Sequence, residues 1–390
     1  MKSVLFIQPN LFPAGGANTV AAWTIEALKR EFALTVLSWT PIDLEAVNAH
    51  FGTSFRVGDF KMYHSPGLLR ALYALDRDVE SIQGTSLLMR LCKLVGHRFD
   101  VLMSAADEID FGRRGIQYMH YPYLCGVYRT CHPPANTNGW ARWKSLAQRI
   151  RPWRVISGFS FERMKDNLIL VNSDWTAGKV KECYGIVPRT MYPPVPGDFP
   201  SVTWSERENG FVCLARISED KRLGQIIHIL AAVRSWGQDV HLHIIGVKWN
   251  TPRGRVHYQQ IRQMVADHAS WVQLHESLPR EQVASLLARH KYGMHRKEDE
   301  HFGIAVAEMV RAGCIVFTHR SGGQVEIIGN EDRLSFETDE EAAEKIIRAM
   351  GHPGEQTSLR DYLDARKDLF STEQFMREMA ATVRDFVSSE

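Results

Sequence analysis

Short apolar runs alternate with longer amphipathic stretches along this chain, a rhythm that points to parallel sheets covered by helices. In the first half the runs are Val4–Ile7, Leu34–Leu37, Val101–Met103 and Leu168–Val171. In the second half they are Gly210–Leu214, Val240–Ile245, Trp271–Leu274, Tyr292–Met294 and Cys314–Thr318. Helical patterns lie between them, among them Asn18–Phe32, Arg222–Ser235 and Arg280–Arg289. The rhythm breaks at Tyr192-Pro193-Pro194-Val195-Pro196-Gly197, where proline fixes φ and removes backbone donors. A chain of 390 residues is also too long for one ordinary core. We therefore expect an α/β protein of two doubly wound, Rossmann-like domains, residues 1–195 and 196–370, facing a cleft at the carboxyl ends of their strands. Residues 371–390 hold a last helical pattern, Glu373–Val387, which either caps the second domain or crosses back to the first.

Charge and cysteine usage narrow the function classes. The formal net charge is +2, so no global excess of Lys and Arg exists to neutralise a phosphate backbone, and nucleic acid is not expected as a partner. The six cysteines are scattered, with no CxxC pair and no Cys/His spacing that suggests zinc. They read as reduced, mostly buried thiols, and no metal is expected. The apolar run Val4–Ile7 is too short for a signal segment and reads as a first buried strand. No stretch of about 18 apolar residues occurs, so the expected location is the cytoplasm. The stretch Trp140–Arg163 interleaves Trp140, Trp143 and Trp153 with Arg142, Lys144, Arg149, Arg151, Arg154 and Arg163. Two readings stand open: a face lying on the anionic inner surface of a membrane, or tryptophans packed inward with solvated arginines.

The chemistry-bearing pattern is Glu300-His301-Phe302-Gly303-Ile304-Ala305-Val306-Ala307-Glu308. A helix starting near Gly303 would aim its free N–H groups and positive dipole end toward Glu300, and would carry Glu308 about one and a half turns in. Phosphates near the helix start, one carboxylate at a sugar and the other at a ribose would fit a nucleotide sugar. Alone, two glutamates at this spacing are better explained as ordinary exposed helix residues, but the pair follows the apolar run Tyr292–Met294 and precedes an Ala312-Gly313 helix end and another strand. Arg216 and Lys221 lie just past the first strand of the second half, where two cations can neutralise a diphosphate and the charge on a leaving group. Gly15 and Gly16 open the first helix and allow a ligand's phosphate or sugar to approach the backbone, although the dinucleotide fingerprint is incomplete. His120 ends a short strand before Pro122 and is suited to donate to a sugar hydroxyl or to bind an acceptor. Asn172-Ser173 suits helix capping. Ser321-Gly322-Gly323 suggests close approach of backbone to a donor. Asp107 and Glu108 follow a strand without an assigned role.

The Glu-x7-Glu pattern resembles the signature of family 4 glycosyltransferases, retaining enzymes of the GT-B fold. Met294-His295, Glu300 to Ile304, Glu308, Ala312-Gly313, Ser321-Gly322-Gly323, His120-Tyr121-Pro122 and Asn172 to Thr176 are similar to one branch of it, which uses GDP-mannose on dolichol-linked oligosaccharides. The resemblance implies a nucleotide-sugar donor held mainly by the second domain through Arg216, Lys221, Glu300, Phe302, Gly303, Ile304 and Glu308. It also implies an acceptor, a glycan or lipid-linked saccharide, held mainly by the first domain. Glu300, His120, Arg216 and Lys221 would act at the reacting centre, without metal or cofactor. A UDP- or other GDP-sugar donor, a nucleotide-sugar epimerase or hydrolase, and a non-catalytic nucleotide-sugar-binding protein are the alternatives.

Overall fold

The computed structural model describes residues 1–12, 15–63, 65, 67, 69, 82–131, 151–248 and 251–389. The chain forms two compact units, Met1–Pro194 together with Thr372–Glu390, and Val195–Ser371. In the first unit the strands are β1 (Ser3–Ile7), β2 (Ala33–Leu37), β3 (Lys61–Tyr63), β4 (Val101–Ser104), β5 (Ile116–Met119), β6 (Leu168–Val171) and β7 (Arg189–Thr190). They pair in the order β3-β2-β1-β4-β5-β6-β7, all parallel. The second unit holds β8 (Glu208–Leu214), β9 (His241–Gly246), β10 (Val272–Glu276), β11 (His290–His295), β12 (Ile315–His319) and β13 (Ser335–Phe336). Their order is β10-β9-β8-β11-β12-β13, again parallel.

Both sheets thus wind outward from their first strand and then reverse. The strand order switches between β1 and β4 in one unit and between β8 and β11 in the other, and ligands of such sheets bind at the carboxyl ends beside that switch. Central strands are covered on both faces, which is why Val4–Ile7 is apolar throughout and fully buried.

The helix Thr372–Ser389 crosses back to the first unit. Phe375, Met379, Val383 and Phe386 recur at helical spacing and join one core with Val4, Phe6, Leu28 and Tyr118. Arg384 Nη1 closes the contact with Glu31 Oε2 at 2.6 Å. At the chain's other crossing, the proline-rich stretch is tied into the second unit. Val195 N–H donates to Phe370 O at 2.9 Å, while Arg280 and Arg311 donate to the carbonyls of Pro196 and Val195.

One expectation changes here. Cys125 and Cys183 are joined as a disulfide between the helices Cys125–Cys131 and Asp174–Tyr184, with Cα atoms 5.6 Å apart, so the cysteines are not all reduced thiols. The partners lie 58 residues apart, and only the packing of the two helices brings them together. Cys92, Cys213 and Cys314 are free and buried. The tryptophan–arginine stretch lies outside the described residues up to residue 150. Beyond it, Arg163 pairs with buried Asp110 at 2.8 Å and Arg154 stacks 5.0 Å over Phe161, so these two arginines serve the first unit's own packing. Among the described residues no helix is long and apolar enough to cross a membrane.

Phe386→Ala should cost about 3–5 kcal/mol in urea unfolding of the first unit, the usual range for emptying a buried aromatic site. A helix that merely trailed along the surface would lose no more than about 0.5 kcal/mol.

Candidate active site

The switch point of the second unit gathers the charged residues. After β8 the chain passes Arg216, which is exposed, and makes a short turn at Glu219–Lys221. Arg222, with φ of 54°, then redirects it into the helix Leu223–Ser235. After β11 it passes His295 and Lys297 to Glu300. Lys221 Nζ pairs with Glu300 Oε2, and the two side chains are only 12% and 13% exposed. Lys297 Nζ stands 3.3 Å from Glu300 Oε1 and 3.7 Å from Asp220 Oδ2. Burial pushes the Glu300 carboxyl up, but the charge of Lys221, helped by Lys297, outweighs it and holds the group well below the ordinary carboxylate range. Glu300 is therefore an anion set between two cations.

His295 and Gln324 hold the loop behind that anion. Gln324 Nε2 donates to the carbonyls of Lys297 (2.7 Å), His319 (3.0 Å) and Ser321 (3.0 Å). Its Oε1 must then accept, and His295 Nδ1–H donates to it at 2.7 Å. Nε2 of the same ring is left unprotonated, 3.7 Å from Glu300 Oε2. Burial first, and then Lys221, pushes His295 down to about 4, in keeping with a neutral ring.

Gly322 packs against the loop that carries Glu300. Its φ is +77°, and a Cβ there would overlap the backbone N and O of Glu300. Gly323 N–H donates to Glu300 O at 2.7 Å, and Asp299 N–H to Ser321 Oγ at 2.8 Å. The Ser321-Gly322-Gly323 turn thus clamps the loop that carries Glu300.

Gly303 starts the helix Ile304–Arg311 from a left-handed conformation, φ 104° and ψ 57°, which only glycine adopts at little cost. Glu308 is buried in this helix, and Arg280 Nη1 holds its Oε1 at 2.6 Å. Sequence gave no signal for Arg280, the first residue of the helix Arg280–Arg289. Gly197 makes room for it: a Cβ there would stand 2.9 Å from Arg280 Nη2. Phe302, expected at the donor, is turned inward with its ring 5.8 Å from Phe370, so that ring belongs to the core. Ile304 is half-buried in the first helical turn.

The first unit places its own candidates at strand ends. Gly15 caps the helix Gly16–Leu28, and a Cβ on it would meet nothing within 4 Å, so the helix start faces open space. No acidic side chain lies in that first turn. His120 is buried after β5, and its Nε2–H donates to Ala105 O at 3.1 Å. Burial holds its pKa below the ordinary value. The neutral ring keeps only Nδ1 as an acceptor, so donation from His120 to a sugar hydroxyl does not fit this tautomer. Asp107, left without a role in the sequence, shapes this turn: its Oδ1 accepts from His120 N–H (2.7 Å) and Tyr121 N–H (3.2 Å). Asn172 Nδ2 donates to His120 O at 3.1 Å, and Ser173 caps the next helix through Thr176 N–H at 3.0 Å. Glu108 is buried against Tyr184 Oη at 2.7 Å, and burial pushes its carboxyl up to about 8.

Residues 196–366 match the family model described as glycosyl transferases group 1. Among curated proteins, the GDP-Man:Man(3)GlcNAc(2)-PP-Dol alpha-1,2-mannosyltransferase of Dictyostelium discoideum is 24% identical over 260 residues, covering 60% of this chain and 49% of that protein. The enzyme of the same name from Xenopus laevis is 22% identical over 293 residues, covering 68% of this chain and 60% of that protein. The matches thus span about half the length of these relatives. Among solved structures, Anabaena HepE in complex with UDP and glucose superposes with a TM-score of 0.67 at 13% identity, over 99% of this chain and 100% of that one. Sucrose-phosphate synthase from Thermosynechococcus elongatus gives 0.68 at 14% identity, over 100% of both. At such identities the likeness speaks for the fold, two parallel-sheet α/β domains of the GT-B kind. The second unit thus carries the match to glycosyl transferases group 1, and the two units together carry the fold.

Proposed function

We propose that the chain transfers a sugar from a nucleotide-diphosphate donor with retention of anomeric configuration, and that the donor is GDP-mannose and the acceptor a glycan or lipid-linked saccharide. The observation that carries this reading is the Lys221–Glu300 pair at the β8/β11 switch point, with Arg216 on the same loop. Lys221 and Arg216 neutralise the diphosphate and the charge that grows on it as the bond from the anomeric carbon to the phosphate oxygen breaks. Glu300, kept ionised, accepts from hydroxyls of the transferred sugar. Glu308, oriented by Arg280, accepts from the ribose. The acceptor hydroxyl attacks the face that the phosphate leaves, and the leaving phosphate takes its proton. No side chain then forms a covalent intermediate, and catalysis rests on position and electrostatics. The mannose and lipid-linked parts are supported by the names of the relatives above.

Calorimetric titration with GDP, UDP, GDP-mannose and UDP-sugars, without added metal, tests the donor. Wild type should bind guanine nucleotides in preference, and Glu308→Ala should bind them roughly 10- to 100-fold more weakly, as expected for losing charge-assisted hydrogen bonds. Unchanged binding by Glu308→Ala removes that residue from the site. Lys221→Ala should lower turnover roughly 100- to 1,000-fold. If free sugar is the main product whatever acceptor is supplied, a hydrolase or epimerase replaces the transferase.

The charge on Glu300 also gives a pH signature. Its folded pKa lies below the ordinary 4.5, so its stabilisation is fully present above that value and fades as pH falls below it. Glu300→Gln should destabilise the second unit by about 3 kcal/mol at pH 7, because Lys221 and Lys297 then lose the carboxylate that both approach. The gap between wild type and variant in urea should narrow from about pH 4.5 downward. A gap that does not change with pH would show that the carboxylate is not the stabilising charge.

A further inference from the structure

Glu208, His241 and His290 are the first residues of β8, β9 and β11, three neighbouring strands of the second sheet. His243 follows two residues after His241, so both rings stand on one face of the sheet. This is the amino end of the strands, opposite to the Lys221–Glu300 site. His241 Nε2 lies 3.0 Å from His290 Nε2 and 3.3 Å from Glu208 Oε2, and His290 Nε2 lies 3.8 Å from that same oxygen. One ligand atom from each of Glu208, His241, His243 and His290 falls within 4.8 Å of the others. A tetrahedral zinc ion with bonds of about 2.0–2.1 Å spaces its ligand atoms about 3.3–3.4 Å apart. The separations among Glu208, His241 and His290 bracket that spacing.

The surrounding bonds leave suitable nitrogens turned inward. His290 Nδ1 is 2.6 Å from Leu286 O, and a carbonyl can only accept, so the proton is on Nδ1 and Nε2 carries a lone pair. His243 Nδ1 lies 2.7 Å from Nε2 of His275, an outer partner that orients the ring. Arg289 holds Glu208 Oε1 and leaves Oε2 toward the histidines. Gly210 pairs across from His241, and a Cβ on it would collide with that imidazole. His243 and His290 are buried while His241 and Glu208 are about one third exposed, so an ion has a way in.

We propose that Glu208, His241, His243 and His290 bind one divalent transition-metal ion, zinc foremost, that joins the starts of three adjacent strands. Three imidazoles and one carboxylate suit zinc and its neighbours, whereas magnesium and calcium take oxygen ligands. A set of four protein ligands is the closed arrangement of a structural site.

The test uses the full chain stripped with a chelator and titrated with Co2+ and Zn2+. Wild type should take up one equivalent of Co2+ with the visible absorption of a four-coordinate ion, should lose that colour when Zn2+ is added, and should melt higher with zinc bound. His241→Gln, at a position exposed enough to spare the core, should lose the stoichiometric binding while far-ultraviolet dichroism shows it folded. His275→Phe should weaken binding roughly 10- to 100-fold, as expected for an outer partner. The proposal fails if stripped wild type takes up no ion at micromolar zinc. It fails equally if His241→Gln binds as wild type does, since binding would then belong to others of the chain's 16 histidines.

Discussion

The ion pair between Lys221 and Glu300 joins the loop after β8 to the loop after β11, and the rest of the second unit's strand-end geometry is arranged around it. Burial alone would favour a neutral Glu300. Two lysines reverse that preference, and the backbone of the loop is then held by contacts that tolerate little change. Gly322 has no room for a Cβ against Glu300, and Gln324 uses all of its described bonds to link three carbonyls to His295. The anion, the cations and the clamp form one cooperative group.

The first unit has the same strand order around its own switch but a different chemical character. Its strand ends carry a neutral histidine bonded to a backbone carbonyl, an aspartate used to hold a turn, and a glycine-opened helix start. Fixed charge is concentrated at the strand ends of the second unit. One topology thus supports both an electrostatic site and a hydrogen-bonding one, because the strands supply only positions and the loops supply the groups.

Local patterns were readable and long-range partners were not. Buried parallel strands announce themselves as unbroken apolar runs, and Gly303 marks the helix start because few other residues take its φ. Lys221 and Glu300 stood out because each follows a strand. Arg280, Lys297 and Gln324 carried no such mark, since their importance comes from what the fold places beside them. The same holds for Cys125 with Cys183, and for Glu208, His241, His243 and His290, which no local spacing connects. Gly322 was noticed for close approach of backbone, and within the fold what stands against it is Glu300. Phe302 sits inside the motif with its own ring in the core.

The return of Thr372–Ser389 to the first unit has a consequence for how the protein comes into being. Phe375, Met379, Val383 and Phe386 complete a core whose other walls are made from residues as early as Val4. On the ribosome, every residue of Val195–Ser371 is made between those two parts. The unit begun first is therefore finished last, and its apolar face waits uncovered while the later-made unit is synthesised. That order favours a second unit able to fold alone as it emerges, and it exposes the first to chaperones and proteases for the whole interval.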